Sequence, residues 1–345
     1  MSALPHVAWV DRALEPELRA LVDGRAKPPG SLGRIEALAI QLGLIAGHTR
    51  PRADRTLLLV FAGDHGFAAA GASSYPPQVT ETMVRLLLAG GATANAFARA
   101  VGAQVRVVDA GVAADLAPNP LLIEAKVRKG TRDASREPAL TAAEVDEALV
   151  SGARIAGEAA ADGYDLLAIG EMGIGNSAAA ALLLHRLCPA PLADCIGAGA
   201  GQDAAGLSRK AALLRLAAAR APASADPREA LAQFGGCEIT MMAGAILGAA
   251  ASRRPVLVDG FIAGAAALAA IRLEPAARDY CVFAHRSAER GHAVMLERLE
   301  AEPLLDLSMR LGEGTGALLA APLVRAAAGL LSEVASLEDV LAGWI

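Results

Sequence analysis

Asp165-Leu-Leu-Ala-Ile-Gly-Glu-Met-Gly-Ile-Gly-Asn-Ser177 decides the reading of this chain. The apolar run 166–169 has the length and continuity of a strand buried on both faces of a parallel sheet. Gly170, Gly173 and Gly175 then permit a turn with positive φ and close backbone approach. Residues 178–184 are strong helix formers, and Asn176 or Ser177 is placed to cap them. A strand, a glycine-rich turn and a helix N-terminus together make a site for an anionic group, usually a phosphate. A packing turn explains an isolated glycine cluster equally well, but three further glycine-rich turns in this chain favour phosphate.

Working outward, 345 residues can bury a large core, organised as one big domain plus a smaller one. The chain is 54% hydrophobic but only 3% aromatic, so alanine does much of the packing and its helices must approach closely. A net charge of −5 gives no electrostatic reason to expect nucleic acid as a partner. Cys188, Cys195, Cys237 and Cys281 show no CxxC and no metal-ligand spacing, so reduced, mostly buried thiols are expected. The N-terminus has no basic segment followed by a continuous apolar one, so no secretory signal is read. The apolar runs 239–252 and 260–271 are too short and glycine-rich to span a bilayer. A cytoplasmic protein without a membrane partner is the expectation.

Strand-like runs recur at 57–61, 105–108, 256–258 and 280–284, alternating with helical patterns and without hairpin signals. The fold class is therefore α/β: a Rossmann-like parallel sheet of about six strands with helices on both faces. Helical patterns at 7–23, from a Ser31 cap to about Ala46, and at the C-terminus imply a small helical domain from both chain ends, 1–50 with 305–345. Residues 51–304 form the large domain. Thr141-Ala-Ala-Glu144 is a capping box that opens a helix to about Ala161. Arg132 has either a phosphate or merely an Asp to meet. Asp64 and His65 end the first strand, where ligands of open α/β sheets gather. No second His/Asp cluster stands at metal spacing, so Asp64 bonding to backbone and His65 packing are favoured over a metal site. His285 and His292 are either acid/base groups or caps of the next helix.

No GxxxxGK[ST], HExxH or GxSxG is present, which removes the P-loop, zinc-protease and α/β-hydrolase readings. Gly173-x-Gly175-x-x-Ala178 partly meets a dinucleotide fingerprint, with Asp194 at roughly the spacing of the ribose-binding acid but beside Pro189 and Pro191. An NAD-dependent oxidoreductase using 173–178 is thus the alternative enzyme class, and a non-catalytic nucleotide-binding homologue is a third reading.

Seven motifs taken together resemble one family over nearly the whole chain, about 21–330. They are Lys27-Pro-Pro-Gly-Ser-Leu-Gly-Arg34, Phe61-Ala-Gly-Asp-His-Gly66, Tyr75-Pro-x-x-Val-Thr80, Gly170-Glu-Met-Gly-Ile-Gly-Asn176, Val258-Asp-Gly260, His285-x-Ser-x-Glu289 and Leu311-Gly-Glu-Gly-Thr-Gly-Ala317. No single one is decisive; their order and joint presence resemble the nicotinate-nucleotide–dimethylbenzimidazole phosphoribosyltransferase family. Ala200 and Gln202 depart from it, where members often have Thr and an apolar residue.

The resemblance implies transfer of 5-phosphoribosyl from nicotinate mononucleotide to a benzimidazole, with inversion at C1′, no metal or bound cofactor, and a homodimer. An oxocarbenium-like centre needs a carboxylate near the incoming nucleophile, and the 5′-phosphate needs amides and a cation. Glu313 is the expected general base, the alternative being a cap on the helix 317–329. Glu171 is placed to hydrogen-bond the ribose or azole, or to brace its turn. Lys210 is a cation for the phosphate or the departing nicotinate, its bland reading being a solvated helix face. Tyr75, Met83, Met172 and Leu311 are the candidates for the azole slot, the Met83 stripe being core in its bland reading. Gly175, Asn176 and Ser177, with Gly199 and Gly201, are the candidates for the phosphate, and Gly173 and Ser287 complete the expected substrate-binding residues.

Overall fold

A computed structural model describes residues 4–199 and 201–343, so Ala200 lies outside the described residues. Six parallel strands form one sheet in the order β3-β2-β1-β4-β5-β6. They are β1 (Thr56–Gly63), β2 (Gln104–Gly111), β3 (Leu122–Glu124), β4 (Leu166–Met172), β5 (Val256–Val258) and β6 (Cys281–Phe283). Every residue of β1 is buried, as are Leu166 to Glu171 of β4, the two-sided burial that makes a parallel strand read as a continuous apolar run. β1 and β4 lie side by side with Phe61 opposite Glu171, although the chain leaves β1 toward β2. Their carboxyl ends therefore flank the point where strand order reverses, the position at which open α/β sheets bind ligands.

Helices cover both faces. On one, Ala142–Ala161 crosses Cys237–Ala251 and the latter packs on β1, β2 and β4. Gly152 faces the backbone of Met241, and Gly244 that of Leu149, so close that any side chain would collide. Small residues thus let whole backbones touch, which is how a core poor in aromatics reaches full packing density. On the other face, Thr315–Ser332 packs on Arg34–Ala46, Thr93–Val101, β4 and β5. Thr315–Ser332 has the length and mean hydropathy (1.4) of a membrane span, and 61% of it is buried in these contacts.

Two local expectations change. Arg34–Ala46 starts after Gly33 with no side-chain cap, so Ser31 does not cap it. Glu36, in the first turn, instead ties down the loop before the helix, accepting from the N–H groups of Gly30 and Leu32 at 3.1 and 3.0 Å and from Lys27 Nζ at 2.8 Å. The Thr141 capping box is present as read, with Glu144 also taking both Arg132 guanidinium nitrogens at 2.7 and 3.2 Å. Arg132 therefore meets Glu144, neither the phosphate nor the Asp expected for it.

Candidate active site

A cleft of about 850 Å³, counting its open mouth, lies beyond the carboxyl ends of β4, β5 and β6. Residues 171–177 form one wall, and Asp259 to Ala263 with His285, Ser287 and Glu289 form another. Ala198, Gly199 and Gln202 meet Arg310, Leu311 and Gly312 at its rim, where Arg310 donates to the Gly199 carbonyl at 3.2 Å.

The turn after β4 delivers a helix N-terminus into this cleft. Gly175, at φ 98°, is the N-cap of Asn176–Leu187, and no side chain caps the helix there. Neither Asn176 nor Ser177 is the cap: Asn176 turns its amide back to the Glu171 carboxyl, and Ser177 Oγ accepts from Lys210 Nζ at 2.9 Å. The N–H groups of Gly175 and Ser177 make no hydrogen bond among the described residues, which leaves two backbone donors for an anion. Lys210 is 1% exposed, so it is no solvated helix face. From Ala204–Arg220 it reaches Ser177 and the Gly197 carbonyl, 3.0 Å away, and burial lowers its pKa to about 8.

Glu171 is buried, and desolvation followed by the negative charges of Glu238, Asp259 and Glu313 holds its pKa well above the usual carboxylate range; Asn176 opposes the shift. The loop 312–314 locks onto it. Gly314 lies against Gly170, which has no room for a side chain, and the Glu313 N–H donates to the Glu171 carbonyl at 3.2 Å. Glu313 itself sits at φ 59°, a left-handed conformation that costs a non-glycine residue about 1 kcal/mol. Its carboxylate accepts from Ala94 N–H at 3.3 Å in the first turn of Thr93–Val101, and burial raises its pKa. It does not cap the helix that follows it. Asp259, from the end of β5, takes that place by accepting from Ala317 N–H at 3.0 Å.

Of the expected site residues, Glu171, Met172, Gly173, Gly175, Asn176, Ser177, Gly199, Ser287 and Leu311 line the cleft. Glu313 lies just behind Gly312, and Lys210 just behind Ser177. Tyr75, Met83 and Gly201 do not line it; Tyr75 is 48% exposed, while Thr80, one turn before Met83, accepts from Ile174 N–H at 3.1 Å. His285 lines the cleft beside Asp259, Nε2 to Oδ1 3.7 Å, whereas His292 does not. Burial lowers the His292 pKa to about 3, and the neutral ring holds Ser287 in place by accepting its N–H at 2.9 Å. Asp194 lies in a four-residue helix paired to Arg290 at 2.8 Å, not at a strand end, so the acid required by the dinucleotide reading is not supplied. Asp259, Glu289 and Arg310 were not among the expected side chains, although each stands in or beside a motif; a polar residue directly after a buried strand was the signal for Asp259.

An uncapped helix N-terminus over a buried lysine, in a cleft with buried carboxylates beyond the carboxyl ends of a parallel sheet, marks an α/β protein with an arrangement suited to an anionic ligand. The DBI_PRT phosphoribosyltransferase family model matches residues 7–341. The chain is 51% identical to the nicotinate-nucleotide–dimethylbenzimidazole phosphoribosyltransferase of Cupriavidus necator over 96% of both chains. It is 50% identical to that of Dechloromonas aromatica over 97% of both. It is also similar to the crystal structure of CobT from Thermus thermophilus, with a TM-score of 0.92 and 41% identity over 95% of this chain and 98% of that one. The chain belongs to the nicotinate-nucleotide–dimethylbenzimidazole phosphoribosyltransferase family.

Proposed function

We propose that this enzyme moves the 5-phosphoribosyl group of nicotinate mononucleotide to 5,6-dimethylbenzimidazole or a related azole. Nicotinate leaves and α-ribazole 5′-phosphate forms with inversion at C1′, a step in assembling the lower ligand of cobalamin. The observation that carries the reading is the pairing of two free N–H groups at 175–177 with buried Lys210 across from buried carboxylates. The 5′-phosphate sits at that helix end, with Lys210 and Ser177 supplying charge and hydrogen bonds. C1′ then faces the carboxylates, whose negative potential favours an oxocarbenium-like transition state. Glu313 takes the azole proton as the other nitrogen attacks, and burial, which raises its pKa, makes it a stronger base than an exposed carboxylate. Glu171 orients the ribose or azole. Met172 and Leu311, together with Tyr75 and Met83 after closure or from a partner subunit of a homodimer, form the slot for the apolar ring. The chain-end segments 1–50 and 305–345 act as a small helical domain that brings Glu313 to the large domain, 51–304.

Incubation with nicotinate mononucleotide and a panel of azoles tests this, with nicotinate release and product mass as readouts. Release that depends on the azole, with a product of ribazole phosphate mass, supports the reading. Saturable NADH binding with hydride transfer and no nicotinate release would replace it.

A further inference from the structure

One acid in the cleft wall is left unused by the reaction as described. Glu289 lines the cleft after β6, yet it is only 8% exposed. It stands at the N-cap of Arg290–Arg298, where a side-chain oxygen ordinarily turns back onto the first N–H groups of the helix, and it makes no such bond. Its carboxylate extends instead to Gly197, where a Cβ would collide with Oε2. Oε2 is buried and has no hydrogen-bond partner among the described residues. The residue is held from behind: Glu289 N–H donates to Ser287 Oγ at 3.3 Å, and Ser287 N–H donates to His292 Nδ1 at 2.9 Å. A buried carboxylate oxygen fixed in this way without a donor is costly unless a ligand supplies one.

Gly197 also shows where in the cleft that donor must lie. Its carbonyl accepts from Lys210 Nζ at 3.0 Å, and the same Nζ donates to Ser177 Oγ at 2.9 Å. A single residue thus separates Glu289 Oε2 from the cation proposed for the 5′-phosphate. At neutral pH the phosphate and the carboxylate of nicotinate mononucleotide offer acceptors, and its O–H donors are the ribose hydroxyls. Glu171, by comparison, already accepts from the Asn176 amide. We propose that Glu289 binds the ribose diol of the phosphoribosyl donor, accepting from its 2′- and 3′-hydroxyls. The sugar is then held between the phosphate turn and the carboxylates that face C1′. An acid that takes ribose hydroxyls is a recurrent device of nucleotide sites in open α/β sheets.

This inference rests on the transferase reading, and a cycle that changes protein and ligand in turn tests it. Nicotinate mononucleotide and its 2′,3′-dideoxy form are titrated calorimetrically, without azole, into the wild type and into Glu289→Ala. The wild type should lose about ten- to hundredfold in affinity with the diol, as hydrogen bonds to a charged group require. Glu289→Ala should bind the two ligands within about twofold of each other. A merely structural role would weaken both ligands alike, so a preference for the diol that survives in Glu289→Ala would overturn the assignment. If Glu289→Ala does not fold, Glu289→Gln enters the same cycle and should lose the greater part of the preference. If the wild type neither binds nicotinate mononucleotide nor releases nicotinate, the reaction reading has failed on its own. Ribose 5-phosphate and its 2,3-dideoxy form then enter the cycle. A preference for the diol that Glu289→Ala abolishes supports the inference, and equal or absent binding by the wild type overturns it.

Discussion

Two glycine-rich turns meet at this site, and their helices begin differently. At 173–177 the helix Asn176–Leu187 starts with no side-chain cap and leaves the N–H groups of Gly175 and Ser177 without partners among the described residues. At 312–316 the helix Thr315–Ser332 starts with Ala317 N–H already taken by Asp259. A satisfied helix end has little left to offer an anion, and an unsatisfied one is an anion site. The first turn is therefore where we propose the phosphate binds. The second turn uses its glycines to hold Glu313 in a left-handed conformation against Gly170 and Glu171. Sequence motifs that look equally glycine-rich therefore divide into a turn with open backbone donors and a carboxylate-presenting turn.

The largest effect should come from the carboxylate. Glu313→Gln keeps an oxygen for Ala94 N–H and should fold, yet lose about 10²–10⁴-fold in kcat while still binding dimethylbenzimidazole. Near-normal turnover would erase the distinction between the turns. The next effect concerns pH. Lys210, lowered to about 8 by burial, loses its charge as pH rises, so kcat/KM for nicotinate mononucleotide should fall about tenfold per pH unit above that value. Lys210→Arg should remove this limb, since arginine stays charged. Stability responds to pH in the opposite direction. Because the unfolded lysine binds a proton that the folded one releases, burial of Lys210 weighs against folding below about 8 and stability rises from there toward 10.5. The smallest effect is structural. Asp259→Ala should cost about 1–2 kcal/mol of stability by denaturant melt through loss of the cap on Thr315–Ser332. An unchanged midpoint would mean that this helix end was never dependent on Asp259.

Much of this was legible in the chain because buried parallel strands announce themselves as short apolar runs. β1, β2, β4, β5 and β6 stand where such runs predict them, and Thr141 with Glu144 marks its helix start. β3 has only three residues and pairs with the end of β2, too short to show any period. Ser31 had the right chemistry for a cap, but the helix starts only after Gly33, and Glu36, held by Lys27, fixes the loop through the Leu32 N–H instead. The Lys210 side chain was expected at the site without its burial, because a helix's buried face depends on what packs beside it. The buried hydrogen bond between His65 and Glu238 joins residues 173 positions apart, and no local pattern encodes such a pairing. Nor did spacing reveal that Asp259 would relieve Glu313 of capping, since β5 and the 312–316 turn meet only in the folded sheet.

The central claim, that the uncapped turn and Lys210 hold a phosphate, is tested most directly by two dissociation constants. Nicotinate mononucleotide and its dephosphorylated nucleoside should be titrated calorimetrically into the wild-type protein and into Lys210→Ala. The account predicts that the wild type prefers the nucleotide by about 10²-fold or more, as charge-assisted hydrogen bonds to a phosphate require, and that the variant loses most of that preference. Equal affinity for both ligands in the wild type, or a preference that survives intact in Lys210→Ala, would contradict it.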